Sequence, residues 1–129
     1  MGPSAAAAPV RVLVADDHRL FAEALEAMLA GQERIECVGV AANGREAVER
    51  AADLRPDVVL MDISMPVLDG IEATRRLRKA HPQVRVVMLT GSSAEQDVAR
   101  SRKAGATGYL TKDAIAASLV DAILEAAAG

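Results

Sequence analysis

Five short apolar runs, separated by segments whose apolar residues recur every three or four positions, set the tightest limit on how this chain can fold. The runs are Val12–Ala15, Ile35–Val40, Val58–Met61, Val84–Leu89 and the brief Tyr109-Leu110. Strand runs that are apolar on both faces belong in a parallel sheet with helices on each side. Between them, Leu20, Phe21, Ala24, Leu25, Met28 and Leu29 mark an amphipathic helix that Gly31 ends. Asn43 with Glu46, Asp69 with Glu72 and Ser93 with Gln96 read as N-cap pairs opening three more helices. The first of these runs from Gly44 to about Ala52 and is broken at Arg55-Pro56. The second carries Ile71, Ala73 and Leu77 and stops near His81-Pro82; Gly105 and Gly108 close the third. A fifth helix begins at Asp113 and shows Ile115, Leu119, Val120, Ile123 and Leu124.

The alternation gives an α/β fold of five strands and five helices. Right-handed crossovers make it a doubly wound parallel sheet, and analogy supplies a flavodoxin-like strand order, 2-1-3-4-5. At 129 residues the chain is one domain, taken as 10–129 after a disordered, Ala-rich tail at 1–9. Its core must be aliphatic, because a hydrophobic share of 51% includes one Phe, one Tyr and no Trp. A net charge of −3 without a basic run gives no electrostatic footprint for nucleic acid. Cys37 has no second cysteine to pair with, which fits a reducing cytoplasm, and it reads as a small strand residue. No stretch reaches the roughly 20 apolar residues of a membrane span, and no signal peptide is visible.

The chemistry sits at the strand ends. The first run ends in Asp16-Asp17, the third in Asp62, the fourth in Thr90 and the fifth in Thr111-Lys112. In a parallel sheet these groups converge at the carboxyl edge, where open α/β folds place their sites. Three carboxylates so close would raise one another's pKa unless a cation stood among them. Mg²⁺, with Mn²⁺ as a substitute, suits such oxygen ligands, and the backbone carbonyl of Ser64 is a further candidate ligand. Asp62 would then be a nucleophile for phosphoryl transfer, with Lys112 and Thr90 holding phosphoryl oxygens. Each residue also has a plain reading: Asp17 as a helix N-cap, Thr90 as a loop hydroxyl, Lys112 as a solvated charge. Their joint placement at successive strand ends decides for the site.

The segments Val-Leu-Val-Ala-Asp-Asp-His (12–18), Pro-Asp-Val-Val-Leu-Met-Asp-Ile-Ser-Met-Pro (56–66), Asp-Gly-Ile-Glu-Ala (69–73) and Gly-Tyr-Leu-Thr-Lys-Asp-Ala (108–114) resemble those of CheY-like response-regulator receiver domains of two-component signalling. The wording is most similar to the NarL/FixJ (LuxR-type) subfamily, and the resemblance covers Val10 to about Ala127. It implies that Asp62 is the phosphoacceptor, Asp16 and Asp17 the metal-binding acids, Lys112 the phosphate-binding lysine, and Thr90 and Tyr109 the switch pair. It further implies a sensor histidine kinase as partner, a cytoplasmic location, and a signalling domain rather than an enzyme.

Two positions depart from the common family pattern. Gly91 stands where Ala is usual, and Asp113 replaces the Pro that often comes after the lysine. Ser64 and Ser92 leave room for water, so an open site sets the expected phosphoryl lifetime, which Ser64→Arg would lengthen.

Between Ala94 and Ala104 only Val98 is large and apolar, so that helix is either a weakly held, shifting element or an ordinary solvent-facing one. Tyr109 is likewise a switch ring or a plain surface tyrosine. The output expected from the subfamily is transcription, through a helix-turn-helix domain that binds DNA and lies outside these residues. The chain is then an excised receiver; the alternative is a stand-alone or phosphorylation-independent receiver that acts as a protein-binding module. A homodimer through the first and last helices, or through the 94–104 face, is the other expected contact. A phosphohydrolase with an aspartyl nucleophile fits poorly, since Ser64 stands where its general acid would be and no cap domain is visible.

Overall fold

The structure is a computed structural model that describes residues 8–91 and 95–129. Its elements alternate as β1 (Val10–Ala15), α1 (Arg19–Ala30), β2 (Ile35–Ala41), α2 (Gly44–Leu54), β3 (Val58–Asp62), α3 (Gly70–Ala80), β4 (Arg85–Thr90), α4 (Glu95–Ala104), β5 (Gly108–Thr111) and α5 (Ile115–Ala128). All strand pairs are parallel, and the sheet order is β2-β1-β3-β4-β5, as the flavodoxin-like analogy predicts. Residues 1–7 of the expected tail lie outside the described residues, as do Ser92 and the Ser93 half of the third capping pair; Ala8 and Pro9 are exposed without regular structure.

The absence of polar alternation in β1, β3 and β4 has a direct cause. Successive side chains of a strand point to opposite faces, and each face of this sheet is covered. Val12, Val14, Leu60 and Leu89 pack towards α1 and α5 with Leu25, Leu29, Leu119 and Ile123. Leu13, Val59, Met61 and Met88 pack to the other side with Ala47, Ala51, Ala73 and Leu77 of α2 and α3. Burying each of these large side chains contributes roughly 1.5–3 kcal/mol, so a polar residue on either face would be costly.

Two capping pairs form as expected. The Asn43 and Asp69 side chains accept the Glu46 and Glu72 backbone N–H at 2.9 Å, and Glu46 returns a bond to the Ala42 N–H at 3.1 Å. Helix α2 runs two residues beyond Ala52, until Arg55 takes a left-handed φ of 49°. The last helix is entered through a 3₁₀ turn, Lys112–Ala114, rather than as an α-helix from Asp113. In α1 the buried stripe is Ala22, Leu25 and Leu29. Leu20 is 81% exposed and Met28 lies on the margin, because the sheet covers only one narrow stripe of the helix.

Within α4, Ser101 and Ala104 are the buried residues. Few apolar contacts hold this helix, so it belongs at the low-stability end of the fold.

Candidate functional site at the carboxyl edge of the sheet

Strand register assembles the site. Ala15 pairs with Met61, Asp62 with Leu89 and Thr90 with Thr111, so the residues at the strand ends meet on one edge. Asp16, Asp62 and Thr90 are buried there. Asp17 keeps 32% of its side chain exposed, and Lys112 reaches in from the start of the 3₁₀ turn. Its Nζ stands 3.3 Å from Asp16 Oδ2 and 3.5 Å from Asp62 Oδ2, and 4.4 Å from the centre of the Phe21 ring. That cation–π contact orients the ammonium from the α1 side. The plain reading of Asp17 as a helix cap fails: His18 is the N-cap of α1, and its side chain makes no capping bond.

The loop after Asp62 is held by close backbone contact. Ile63 N–H donates to the Leu89 carbonyl at 2.9 Å and Gly70 N–H to the Ile63 carbonyl at 2.9 Å. A Cβ at Gly70 would stand 2.1 Å from the Asp62 carbonyl oxygen, and one at Gly44 would stand 1.9 Å from the Leu68 carbonyl oxygen. Two helices therefore press their first residues against the two ends of one loop, which only glycine permits. Between them, Leu68 N–H donates to the Pro66 carbonyl at 2.7 Å around Val67, whose φ is 70°. This is a three-residue γ-turn in a strained conformation.

The electrostatics follow from burial. Loss of water, and next the Asp16 charge, push the Asp62 carboxyl up to about 6; Lys112 and the Ser64 N–H, which lies 3.4 Å from Asp62 Oδ1, pull the other way. Three carboxylates face one ammonium, which leaves a local deficit of two positive charges. Asp16 Oδ2 and Asp62 Oδ2 are buried and have no hydrogen-bond partner among the described residues, since Lys112 is near both without the alignment of a hydrogen bond. Ligand atoms from Asp16, Asp17, His18 and Asp62 all lie within 4.8 Å of one another. Orphaned buried oxygens with this charge deficit fit a hard dication, which binds oxygen donors. The Ser64 residue is exposed on the adjoining loop.

Sequence reasoning brings Asp16, Asp17, Asp62, Thr90 and Lys112 to one edge, and the structure has them there. It misses Phe21, His18 and the two helix-opening glycines. The glycines had a legible signal in the shared pattern Asn43-Gly44-Arg45-Glu46 and Asp69-Gly70-Ile71-Glu72. Tyr109 is half-buried on β5 and, with Val98 and Ser101 of α4, lines a small cavity of about 50 Å³. The Ser101 hydroxyl there is buried without a hydrogen-bond partner among the described residues.

Residues 12–124 match the response regulator receiver domain family. Response regulator GacA of Pseudomonas viridiflava is 45% identical over 114 residues, covering 88% of this chain and 53% of GacA. Response regulator protein VraR of Staphylococcus epidermidis is 39% identical over 114 residues, covering 88% and 54% of the two chains. The chain thus spans about half the length of these curated relatives. The signal receiver domain of the putative response regulator NarL from Mycobacterium tuberculosis superposes with a TM-score of 0.91 at 33% identity, over 95% of this chain and 99% of that one.

Proposed function

This chain belongs to the response regulator receiver domain family, in its NarL/FixJ (LuxR-type) subfamily, and from that premise we propose that it accepts a phosphoryl group on Asp62 and relays it as a change of surface. The observation that carries the proposal is the buried Asp62 carboxylate, next to Asp16 and 3.5 Å from Lys112, with an oxygen that no hydrogen bond from the described residues satisfies.

In the reaction an Asp62 oxygen attacks phosphorus in line with the phosphohistidine of a sensor kinase. The new P–O bond forms as the P–N bond breaks, and the departing imidazole takes up a proton. Bound through Asp16, Asp17, Asp62 and the Ser64 carbonyl, Mg²⁺ (or Mn²⁺) would supply charge neutralisation at the phosphoryl oxygens. Lys112 holds another of those oxygens, steadied by the Phe21 face. Water attack at phosphorus later breaks the same P–O bond, restoring the carboxylate and releasing phosphate.

Thr90 and Tyr109 carry the signal onward. The phosphoryl group, bearing about −2 charge, offers the Thr90 hydroxyl a new acceptor and draws its loop inward. The Tyr109 ring then shifts, and α4, held by only two buried residues, repacks in response. Residues 10–129 act as the receiver unit, in the cytoplasm, with transcription controlled through a LuxR-type helix-turn-helix domain outside these residues. No helix among the described residues is long and apolar enough to cross a membrane.

Intact-mass measurement after incubation with acetyl phosphate tests the chemistry. A single phosphoryl adduct on the wild type, lost with EDTA and lost in Asp62→Asn, is the expected result. An adduct that survives Asp62→Asn would overturn the assignment.

A further inference from the structure

The imidazole of His18 faces the same acidic cluster, and the phosphoryl-transfer steps leave it without a role. Its Nδ1 lies 3.3 Å from Asp16 Oδ1 and 3.4 Å from Asp17 Oδ1. Adjacent ligands of one octahedral cation with bonds near 2.1 Å stand roughly 3 Å apart, and opposite ones roughly 4.2 Å. The His18 nitrogen therefore already has close to the spacing of an adjacent ligand to two acids, and all four donor atoms fall within 4.8 Å. The second sign of a cation is the pair of buried oxygens, Asp16 Oδ2 and Asp62 Oδ2, which have no hydrogen-bond partner among the described residues and share the single ammonium of Lys112.

Among the described residues the ring is held through its Nδ1 contacts with the two acids. His18 is the N-cap residue of α1, yet its side chain makes no capping bond, and the side chain is 69% exposed. Small rotations would bring Nδ1 onto a shared cation without repacking the core, with Nε2 carrying the proton that the coordinating tautomer requires. Imidazole nitrogen changes the character of an all-oxygen site. Carboxylate and carbonyl oxygens suit Mg²⁺, whereas imidazole favours Co²⁺, Ni²⁺ and Zn²⁺.

We propose that His18 Nδ1 is a ligand of this cation site, and that through it the site takes imidazole-binding transition dications in preference to Mg²⁺. The proposal rests on the reading of Asp16, Asp17 and Asp62 as the cation-binding acids. Any oxygen site gains some affinity along the first transition row, so the share owed to His18 is what its replacement removes.

The chain offers a clean spectroscopic test because it has only two histidines, and His81 stands after α3 at the opposite edge of the sheet. Mn²⁺ is bound to the untagged chain and examined by pulsed EPR for directly coordinated ¹⁴N, in the wild type, His18→Gln, His81→Gln and Asp62→Asn. A ¹⁴N coupling in the wild type and His81→Gln that disappears in His18→Gln supports the ligand. Calorimetry should then show the Co²⁺-to-Mg²⁺ affinity ratio falling on the order of tenfold in His18→Gln. Absence of ¹⁴N coupling in Mn²⁺-loaded wild type, or an unchanged affinity ratio, overturns the proposal and leaves the acid site standing. Equal Mn²⁺ affinity in the wild type and a folded Asp62→Asn would overturn the acid site as well.

Discussion

Asp62 is the residue whose environment sets it most apart from a surface carboxylate, and the sign of the effect is testable without any partner. In the cation-free folded chain its pKa is pushed up to about 6 from an ordinary 3.8, first by burial and then by Asp16. The folded state thus holds this proton more tightly than the unfolded chain does. The associated stability is fully present below 3.8 and is lost as pH rises through about 6. Replacing the charge removes the penalty, so in EDTA the Asp62→Asn variant should melt above the wild type at pH 8. The gap should close as the pH falls towards 4, because the wild-type carboxyl is then protonated too. Circular-dichroism melts across that range check it, and a gap that widens in acid would refute the assigned cause. Binding of a dication favours the ionised carboxylate, so its affinity should weaken below about pH 6.

At the scale of elements, the β3–α3 loop is positioned less by its own sequence than by the two helix starts that touch it. Gly70 touches the Asp62 end and Gly44 the Leu68 end. A methyl at Gly70 would lie 2.1 Å from the Asp62 carbonyl oxygen, and backbone cannot yield as a flexible side chain can. Gly70→Ala should therefore cost about 1–3 kcal/mol of stability and slow phosphoryl uptake by displacing the Asp62 backbone. Gly91→Ala is the matched control, since a Cβ there meets nothing within 4 Å among the described residues; it should leave denaturant stability unchanged. Equal effects of the two substitutions in urea titrations would contradict the clamp. The same scale explains why α4 is suited to transmit a signal. Its buried face is Ser101 and Ala104, whereas α3 buries Ile71, Ala73, Thr74 and Leu77 along with Gly70.

For the whole molecule, the unbalanced acids link cation binding to folding. The site joins β1, β3 and the segment after β5, so a cation there ties together strands that are distant in sequence and finds no preformed equivalent in the unfolded chain. Binding to the folded state alone at roughly ten times Kd adds about 1.4 kcal/mol. For a domain of this size the expected rise in Tm is about 5 °C. Mg²⁺ should produce that rise in the wild type and a much smaller one in Asp62→Asn, read by differential scanning calorimetry. No rise at saturating Mg²⁺ would count against the cation site.

The order of elements, the sheet that buries both faces of its strands, and the convergence of Asp16, Asp17, Asp62, Thr90 and Lys112 were all legible in the chain alone. Apolar periodicity and capping pairs are local signals, and a parallel sheet sends every strand's end to the same edge. The tertiary structure decided what local signals do not encode. It set which stripe of α1 is buried, leaving Leu20 in solvent, and it put Phe21 beneath the Lys112 ammonium. It also gave Gly44 and Gly70 their loop contacts and turned His18 towards the acids. Each of these depends on the distance between groups far apart in sequence or on the rotation of a side chain, and neither is fixed until the helices pack against the sheet.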